Sequence, residues 1–394
     1  MAIAMRKMAP PFMSDASLRA VLKALPSARV VGGAVRDAMA GRPVADIDLA
    51  TPDPPGAVIA ALDAAGLKHA PTGLQHGTVT AIAGGRGFEI TTLRRDEATD
   101  GRHAEVAWTD DWREDAARRD FTINAMSMSP DGTVYDYFGG VDDLQAGRVR
   151  FVSDAAARIR EDYLRVLRYF RFYGRYAAEP PDPATEAALR EGAAGLSRLS
   201  VERVWSELKR ILTLPDPVPT LQLMRGLGVL AAAFPGALDV MALDRLVKAD
   251  APVDAMLRLS ALRRGGAAGL ADRFKLSRAE LARLEAFDGP APDPAWSDGA
   301  LRRVLAEEPA EAIVGRTWLA GGAGPEWGAL RGRLAAAKRP VFPLAGRDVV
   351  ALGVGAGPRV GELLQRVRAW WMAGGCVATA AECRAELARL AAGC

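Results

Sequence analysis

Asp46 and Asp48 are the residues whose types and spacing point most directly to chemistry. They alternate with apolar residues in the run DIDL, so on a β-strand both carboxylates project from one face. Carboxylate oxygens bind hard cations such as Mg²⁺, and two such ions can bridge an attacking hydroxyl and a leaving pyrophosphate. The pair therefore suggests metal-dependent attack on a nucleoside triphosphate, although D-x-D alone is also typical of a solvated strand end.

A glycine pair precedes the aspartates. We expect a buried strand ending at Val31, a turn at Gly32 and Gly33, and a helix over residues 34–40 that stops at Gly41. Backbone N–H groups at such a helix start would face an anion. This turn strengthens the interpretation of the aspartates as a phosphate-transfer site.

A second segment, RRDFTINAM at 118–126, carries adjacent arginines. Guanidinium groups there could grip a triphosphate through paired hydrogen bonds. On its own, an Arg-Arg-Asp run is more typical of a surface cluster of ion pairs. Combined with the glycine turn and the aspartates, it favours nucleotide binding.

A third segment, RIREDYLRVLRYFRF at 158–172, has helical spacing that separates an apolar face from a charged one. We predict one helix, with Asp162 and Arg165 on the charged face. An outer helix face held by ion pairs gives the same pattern. Cytosine and adenine both present an amine beside an unprotonated ring nitrogen, so one carboxylate and one guanidinium would accept these two bases and reject uracil and guanine.

In this order and at these distances, the three segments resemble the motifs of the tRNA nucleotidyltransferase and poly(A) polymerase family, in its bacterial and eukaryotic (class II) branch. That family carries GGxVRD with a following DxD, then RRDFTxNA, then EDxxR. Here these are residues 32–37 with Asp46 and Asp48, residues 118–125, and residues 161–165. The resemblance in motif order covers roughly the first 215 residues.

The resemblance implies roles for individual residues. Asp46 and Asp48 would be the catalytic pair and would bind Mg²⁺. Glu89 would be a third carboxylate near the metals or a structural hydrogen-bonding group. The expected nucleotide-binding residues are Gly33, Arg36, Arg119, Asp162, Arg165, Arg168 and Arg171.

Within the family, the features favour an enzyme that adds CCA to tRNA 3′ ends from CTP and ATP. Poly(A) polymerases usually carry a basic, phenylalanine-containing strand after the aspartates and a basic C-terminal tail, whereas this chain ends ELARLAAGC. Residues 96–106 look like the flexible loop that the family associates with adding the terminal A, which CC-only enzymes typically lack. Poly(A) polymerase, CC-only and A-only relatives, and an RNA-binding protein without catalysis remain the alternatives.

The pattern of elements predicts an α+β fold. Strands and helices alternate to about residue 150, and the remainder is almost wholly helical. We expect a small mixed α/β nucleotidyltransferase head domain at 1–150, an all-helical neck that recognises the base at 151–215, and a helical body and tail that bind tRNA at 216–394. The run VRAWW at 367–371 suggests either core packing of Trp370 and Trp371 or a contact with RNA.

Composition agrees with this interpretation. The chain has 394 residues and a formal net charge of +3, so nucleic-acid contacts would need local basic patches. Its three cysteines lack metal-site spacing and suggest a reducing compartment. No export signal or membrane span is evident, which predicts a cytoplasmic protein without membrane partners. The sequence does not indicate an oligomeric state.

Overall fold

A computed structural model describes residues 4–99, 104–234, 236–263 and 267–392. The chain divides into two compact units, Met1–Pro235 and Gly236–Cys394. The described part of the first unit holds a mixed sheet followed by helices, and that of the second unit is helical. The predicted α+β class, with a mixed head and a helical remainder, is confirmed.

Ten strands form two sheets within the described ranges. They are β1 Ala4–Lys7, β2 Arg29–Val31, β3 Asp48–Thr51, β4 Lys68–Gly73, β5 Thr78–Ala83, β6 Arg86–Thr92, β7 Arg94–Thr99, β8 Ala104–Trp108, β9 Ser127–Met128 and β10 Thr133–Asp136. The larger sheet has the order β1-β10-β9-β2-β3-β6-β5-β4. Strands β3 and β6 are parallel, and the other neighbours in this sheet are antiparallel.

Helices of the first unit cover the sheet and continue beyond it. They are α1 Ala16–Ala24, α2 Gly33–Met39, α3 Pro55–Ala64, α4 Trp112–Ala117, α5 Gly140–Ala146, α6 Ala155–Glu161, α7 Leu164–Tyr176, α8 Pro183–Gly192, α9 Val201–Leu212, α10 Val218–Gly226 and α11 Val229–Ala233. Short 3₁₀ segments lie at Pro11–Ser14, Leu74–His76, Thr122–Asn124 and Ala193–Arg198. Three of the helices begin at or near proline residues because proline lacks the N–H that a first turn leaves unpaired.

The core of the head lies between one face of the sheet and the helices α1 and α3. Alternation along β5 and β6 buries Val79, Ala81, Phe88 and Ile90, while the positions that alternate with them on each strand are more exposed. Leu18 and Leu62 supply the helical side of this core. One sheet face is thus filled, and the opposite face is left to carry polar side chains.

A hairpin of β7 and β8 occupies most of the segment that was predicted to be a flexible loop. Arg94 pairs with Trp108 at its base. Residues 96–99 and 104–106 form paired strands instead of irregular loop, and residues 100–103 lie outside the described ranges, so the role of this segment in adding the terminal A stays a prediction. A Cβ on Gly77 would come within 2.4 Å of the Trp108 ring, so this glycine lets the hairpin base approach β5 closely.

The second unit has ten helices within the described ranges. They are α12 Val240–Lys248, α13 Ala255–Leu262, α14 Ala268–Phe274, α15 Arg278–Phe287, α16 Asp298–Glu307, α17 Ala310–Leu319, α18 Pro325–Ala336, α19 Gly346–Val350, α20 Pro358–Ala373 and α21 Ala380–Ala392. Two apolar clusters lie among them: α16, α17 and α18 contribute to the first, and α19, α20 and α21 contribute to the second. Trp371 is buried in the second cluster, whereas Trp370 is 40% exposed, so core packing explains one tryptophan of the pair. Within the described ranges, no helix has the length and apolar character needed to cross a membrane.

Candidate active site

A turn at Gly32 joins β2 to α2. Gly32 has a φ of 65°, in the left-handed region that favours glycine, and α2 begins at the next residue. A Cβ on Gly32 would lie 3.0 Å from Nη1 of Arg119, so the arginine lies against the turn. The structure therefore brings together two segments that the sequence separates by more than 80 residues.

Asp46 and Asp48 lie beside this turn. Asp48 is the first residue of β3, whereas Asp46 precedes the strand, so the expectation that both lie within a strand holds for Asp48 alone. The alternation is nevertheless as predicted, because Ile47 and Leu49 are buried and the two aspartates are exposed. Both carboxylates line a pocket of about 440 Å³.

Glu89 is a third carboxylate at this position. Strand β6 runs parallel to β3 with Leu49 opposite Ile90, which places Glu89 beside Asp48 on the same sheet face. The Asp48 carboxyl is partly removed from water and lies near the charges of Glu89 and Asp46. Both effects raise the pKa of Asp48 above its usual value. Arg119 opposes this effect without cancelling it, so the carboxylates lack a full counter-charge.

This donor set fits a hard divalent cation that also binds substrate oxygens. Carboxylate oxygens are the ligands such cations prefer, and a cation would relieve the repulsion among the three carboxylates, which adds to burial in raising the pKa of Asp48. Among the described residues, no group of three or more histidine, cysteine, aspartate or glutamate side chains could hold a metal by itself. A cation bound here would therefore complete its coordination with water and phosphate, as Mg²⁺ commonly does.

Asp115 holds both arginines of the second segment. Its carboxylate receives Nη2 of Arg118 at 2.7 Å and Nη2 of Arg119 at 3.1 Å. Burial acts to raise the pKa of Asp115, but the two guanidinium groups outweigh it and lower that pKa. Sequence reasoning missed Asp115, although it stands three and four residues before the arginines at helical spacing, which was a usable signal.

Arg36 is buried between the head and α7. Its guanidinium donates to Asn124 and to both oxygens of Asp37, and it packs over the rings of Phe172 and Tyr176 at 4.9 and 4.7 Å. The side chain is only 8% exposed. The structure thus buries this predicted nucleotide-binding residue, and its hydrogen bond to the Asn124 side chain holds that amide in place.

Asp120 joins the second segment to the third. Arg168 Nε donates to Asp120 Oδ2 at 2.8 Å, while Asn124 and the Phe121 N–H each donate to Oδ1 at 2.9 Å. Burial opposes ionisation, but these contacts, with Arg168 first, keep the pKa of Asp120 below its usual value. Arg168 is therefore held by Asp120, a residue that the sequence did not identify as part of the site.

The predicted helix of the third segment is interrupted at Asp162, one of the two residues expected to recognise the base. Helix α6 ends at Glu161, Asp162 is extended with a φ of −152°, and α7 begins at Leu164, so the prediction of one continuous helix is wrong here. Asp162 Oδ1 accepts the Leu164 N–H at 3.0 Å and caps the first turn of the new helix. This competition between an aspartate side chain and the helix backbone explains the interruption.

The two predicted base-reading side chains have separate partners. Asp162 Oδ2 accepts from Arg203 Nη2 at 2.7 Å. Arg165 Nη1 donates to Glu161 at 2.6 Å, and its Nη2 donates to the Arg118 carbonyl at 3.3 Å. These contacts orient Asp162 from α9 and tie Arg165 to the second segment, residues 118–126.

Arg171 lies about one turn beyond Arg168 on α7. Its Nε donates to Glu207 Oε2 at 2.7 Å, and its guanidinium covers Phe172 at 4.4 Å. Burial lowers the pKa of Arg171, and the charge of Glu207 offsets part of this lowering. The sequence left both Glu207 and Arg203 unassigned, because their partners lie 36 and 41 residues earlier in the chain and nothing local marks them.

Comparison with family models matches two parts of the chain. Residues 28–150 match the poly A polymerase head domain, and residues 180–241 match the probable RNA and SrmB-binding site of polymerase A. The first range contains the glycine turn, the three carboxylates and the arginine pair.

Individual relatives carry the comparison further. The chain is 37% identical over 366 residues to CCA tRNA nucleotidyltransferase 1, mitochondrial, from Mus musculus, covering 88% of this chain and 83% of that one. It is 50% identical over 204 residues to the protein of that name from Danio rerio, covering 51% of this chain and 47% of the relative, so that match spans about half the relative's length. A crystal structure of the Bacillus stearothermophilus CCA-adding enzyme in complex with CTP superimposes with a TM-score of 0.77 at 28% identity, over 98% of this chain and 99% of that one.

Proposed function

The chain belongs to the CCA tRNA nucleotidyltransferase family, and on this premise we propose that it adds C, C and A to tRNA 3′ ends from CTP and ATP without a template. The observation that carries the proposal is the convergence of three carboxylates, a glycine turn and Arg119 on one sheet face. The family relationship supports the substrates, and the site supports the chemistry. Pyrophosphate is the second product.

The catalytic roles in this proposal follow the electrostatics. Asp46 and Asp48 hold Mg²⁺, and a bound divalent cation supplies Lewis-acid polarisation of phosphate oxygens. The 3′ oxygen of the RNA forms a bond to the α-phosphorus, the bond to pyrophosphate breaks, and the hydroxyl proton is released. Gly33 and Arg119 line the path of the triphosphate, where Arg119 offers donors that face the glycine turn.

Base selection belongs to Asp162 and Arg165. Arg203 and the Leu164 N–H fix the carboxylate, and Glu161 fixes the guanidinium, so both groups are oriented before a base arrives. Arg168 and Arg171 support the nucleotide from the next turns of α7, and Arg36 acts by holding Asn124. A wrong base would leave a buried donor or acceptor unpaired, a penalty of about 1–3 kcal/mol.

The RNA-binding role of residues 216–394 and a cytoplasmic location complete the proposal. Helix α20 carries Arg359, Arg366 and Arg368 together with the exposed Trp370, a combination suited to phosphate and base contacts. The free cysteines Cys376 and Cys383 are consistent with a reducing compartment, although the fish and mouse relatives are named mitochondrial.

A product-sequence experiment tests the function. A tRNA transcript lacking CCA is incubated with CTP alone, ATP alone, both, or all four nucleotides, and the 3′ ends are sequenced. We expect CC from CTP alone and CCA, with no further extension, from the mixtures. A long A tail made from ATP alone would instead identify a poly(A) polymerase, and a product ending at CC in the presence of ATP would identify a CC-only enzyme.

A further inference from the structure

Open space borders the carboxylates on two sides. Two pockets of about 440 Å³ each share Asp48 and Glu89. The first also contains Asp46, Arg86 and Gly87. The second extends along the sheet face over β6 and β5, and its polar lining also includes His76, Thr78, Thr91, Arg94, Asp115, Arg118 and Arg119. We call the second one the threonine pocket.

The proposed reaction needs two substrates at these carboxylates, and this inference rests on that function. In an in-line displacement the attacking oxygen and the leaving pyrophosphate stand on opposite sides of the phosphorus. Gly33 follows β2, on one side of β3, whereas β6 and β5 lie on the other side. An RNA end that attacks opposite the triphosphate therefore approaches over β6 and β5.

The charges favour the threonine pocket over the first one. Arg86, the cation of the first pocket, is committed to Asp15 at 2.7 Å, which leaves the three carboxylates to repel a phosphodiester. The threonine pocket sets three arginines, Arg94, Arg118 and Arg119, against three carboxylates, because Asp115, which pairs with Arg118 and Arg119, also lines it beside Asp48 and Glu89. Its carboxylates are therefore matched in number by cations, and Arg94 is the cation that Asp115 does not pair through its side chain. Arg94 Nη1 donates to the His76 carbonyl at 3.1 Å, which holds the guanidinium beside the segment that precedes β5.

The lining of the threonine pocket includes a pair of hydroxyls. Thr78 and Thr91 are opposite each other on β5 and β6, both are half-buried, and their Oγ1 atoms lie 3.1 Å apart. A hydroxyl both donates and accepts, so the pair can exchange its mutual hydrogen bond for bonds to a ribose hydroxyl. Val31 and Ala50 provide apolar surface next to it.

We propose that the threonine pocket binds the last ribonucleotide of the RNA acceptor. Thr78 and Thr91 contact its ribose 2′-hydroxyl, and Arg94 contacts its phosphodiester. The 3′-hydroxyl then lies next to Asp48 and Glu89, where the transfer takes place. This subsite makes the enzyme selective for an acceptor that ends in RNA.

The first test measures acceptor binding without nucleotide, so it is independent of activity. Fluorescence anisotropy compares wild type, Arg94→Gln and Arg95→Gln with a labelled tRNA lacking CCA over a range of salt concentrations. Successive strand residues point to opposite faces, so Arg95 is the matched control. We expect Arg94→Gln alone to weaken binding and to reduce the salt slope by roughly 0.7, the loss of one phosphate contact. Equal affinities and slopes for the two variants would overturn the proposal.

The second test uses the hydroxyl pair. Acceptors ending in a ribonucleotide or a 2′-deoxynucleotide are extended with CTP by wild type, by Thr78→Val/Thr91→Val, and by Thr72→Val, which removes one hydroxyl of a similar pair outside the pocket. We expect the double variant to raise the KM for the ribo acceptor about five-fold and to lose the ribo preference, with the KM for CTP unchanged. An unchanged ribo preference would overturn the subsite, whereas absence of incorporation by wild type would overturn the proposed function and leave the binding test standing.

Discussion

Arg203 Nη2 donates to Asp162 Oδ2 at 2.7 Å, which links α9 to a residue proposed to read the nucleotide base. Asp162 lies in the two-residue interruption between α6 and α7, where helix geometry alone does not fix its side chain. The Leu164 N–H holds the other carboxylate oxygen at 3.0 Å. The proposed selectivity for cytosine and adenine thus depends on a residue 41 positions later in the chain.

Replacing Arg203 tests this dependence. Arg203→Gln removes the charged partner and lets the carboxylate rotate, so we expect discrimination of CTP against UTP to fall about five-fold. The ratio of kcat/KM values for the two nucleotides on one tRNA measures it. Arg210→Gln is the matched control, since Arg210 is on the same helix, is more exposed and contacts Glu207 at 3.5 Å. Equal discrimination in both variants would contradict the positioning role.

The glycine turn gives a second prediction, because its two glycines differ. A Cβ on Gly32 would be strained by a φ of 65° and would press on Arg119, whereas a Cβ on Gly33 meets Arg36 Nη2 at an ordinary 3.6 Å. Gly32→Ala should therefore lower the free energy of unfolding by about 1–2 kcal/mol. Gly33→Ala should leave the melting temperature unchanged and raise the KM for CTP several-fold, provided that phosphates approach its backbone. Melting curves and initial rates for both variants separate these effects, and a Gly33→Ala protein with normal nucleotide KM would remove that residue from the triphosphate path.

A third prediction concerns the carboxylates. Asp48→Asn should reduce kcat by roughly 10²–10³-fold and Asp46→Asn by a similar factor, because each removes the charge of a proposed cation ligand at the place where charge develops. Asp63→Asn, at the exposed carboxylate that contacts His69, is the control and should keep full activity. A higher Mg²⁺ concentration should partly restore the kcat of the variant with the lower activity if its defect is in cation binding. Wild-type rates in either active-site variant would refute the metal assignment.

Local patterns were enough to predict much of the head. The alternation in DIDL predicted the strand that begins at Asp48, and the glycine pair predicted the turn before α2, because strand faces and turns are set by neighbouring residues. The exposed pair Asp46 and Asp48 followed from the same alternation. These features need no knowledge of distant contacts.

Features that depend on distant pairing escaped prediction. Asp120 meets Arg168 across 48 residues, and Tyr176 reaches Asp37 across 139, which no local period encodes. The break at Asp162 had a local cause, its side-chain cap, but the strong helical period on both sides concealed it. The sequence therefore predicted which segments form the site and not how their charges are paired.

The buried pair of Asp120 and Arg168 gives the last prediction, on stability. Asp120→Asn leaves the arginine, whose side chain is 32% exposed, without its carboxylate, so we expect a loss of about 2 kcal/mol at neutral pH. The pKa of Asp120 in the folded protein lies below its unfolded value of about 3.9, so its contribution is complete above that pH and is lost as the pH falls through the folded pKa. Wild-type stability should consequently fall more steeply than that of Asp120→Asn below about pH 4. Urea titrations of both proteins between pH 7 and pH 3 measure the two slopes, roughly one urea series per pH unit. Parallel slopes would mean that the pKa of Asp120 is the same in the folded and unfolded protein, so that pairing with Arg168 does not stabilise the charged carboxylate.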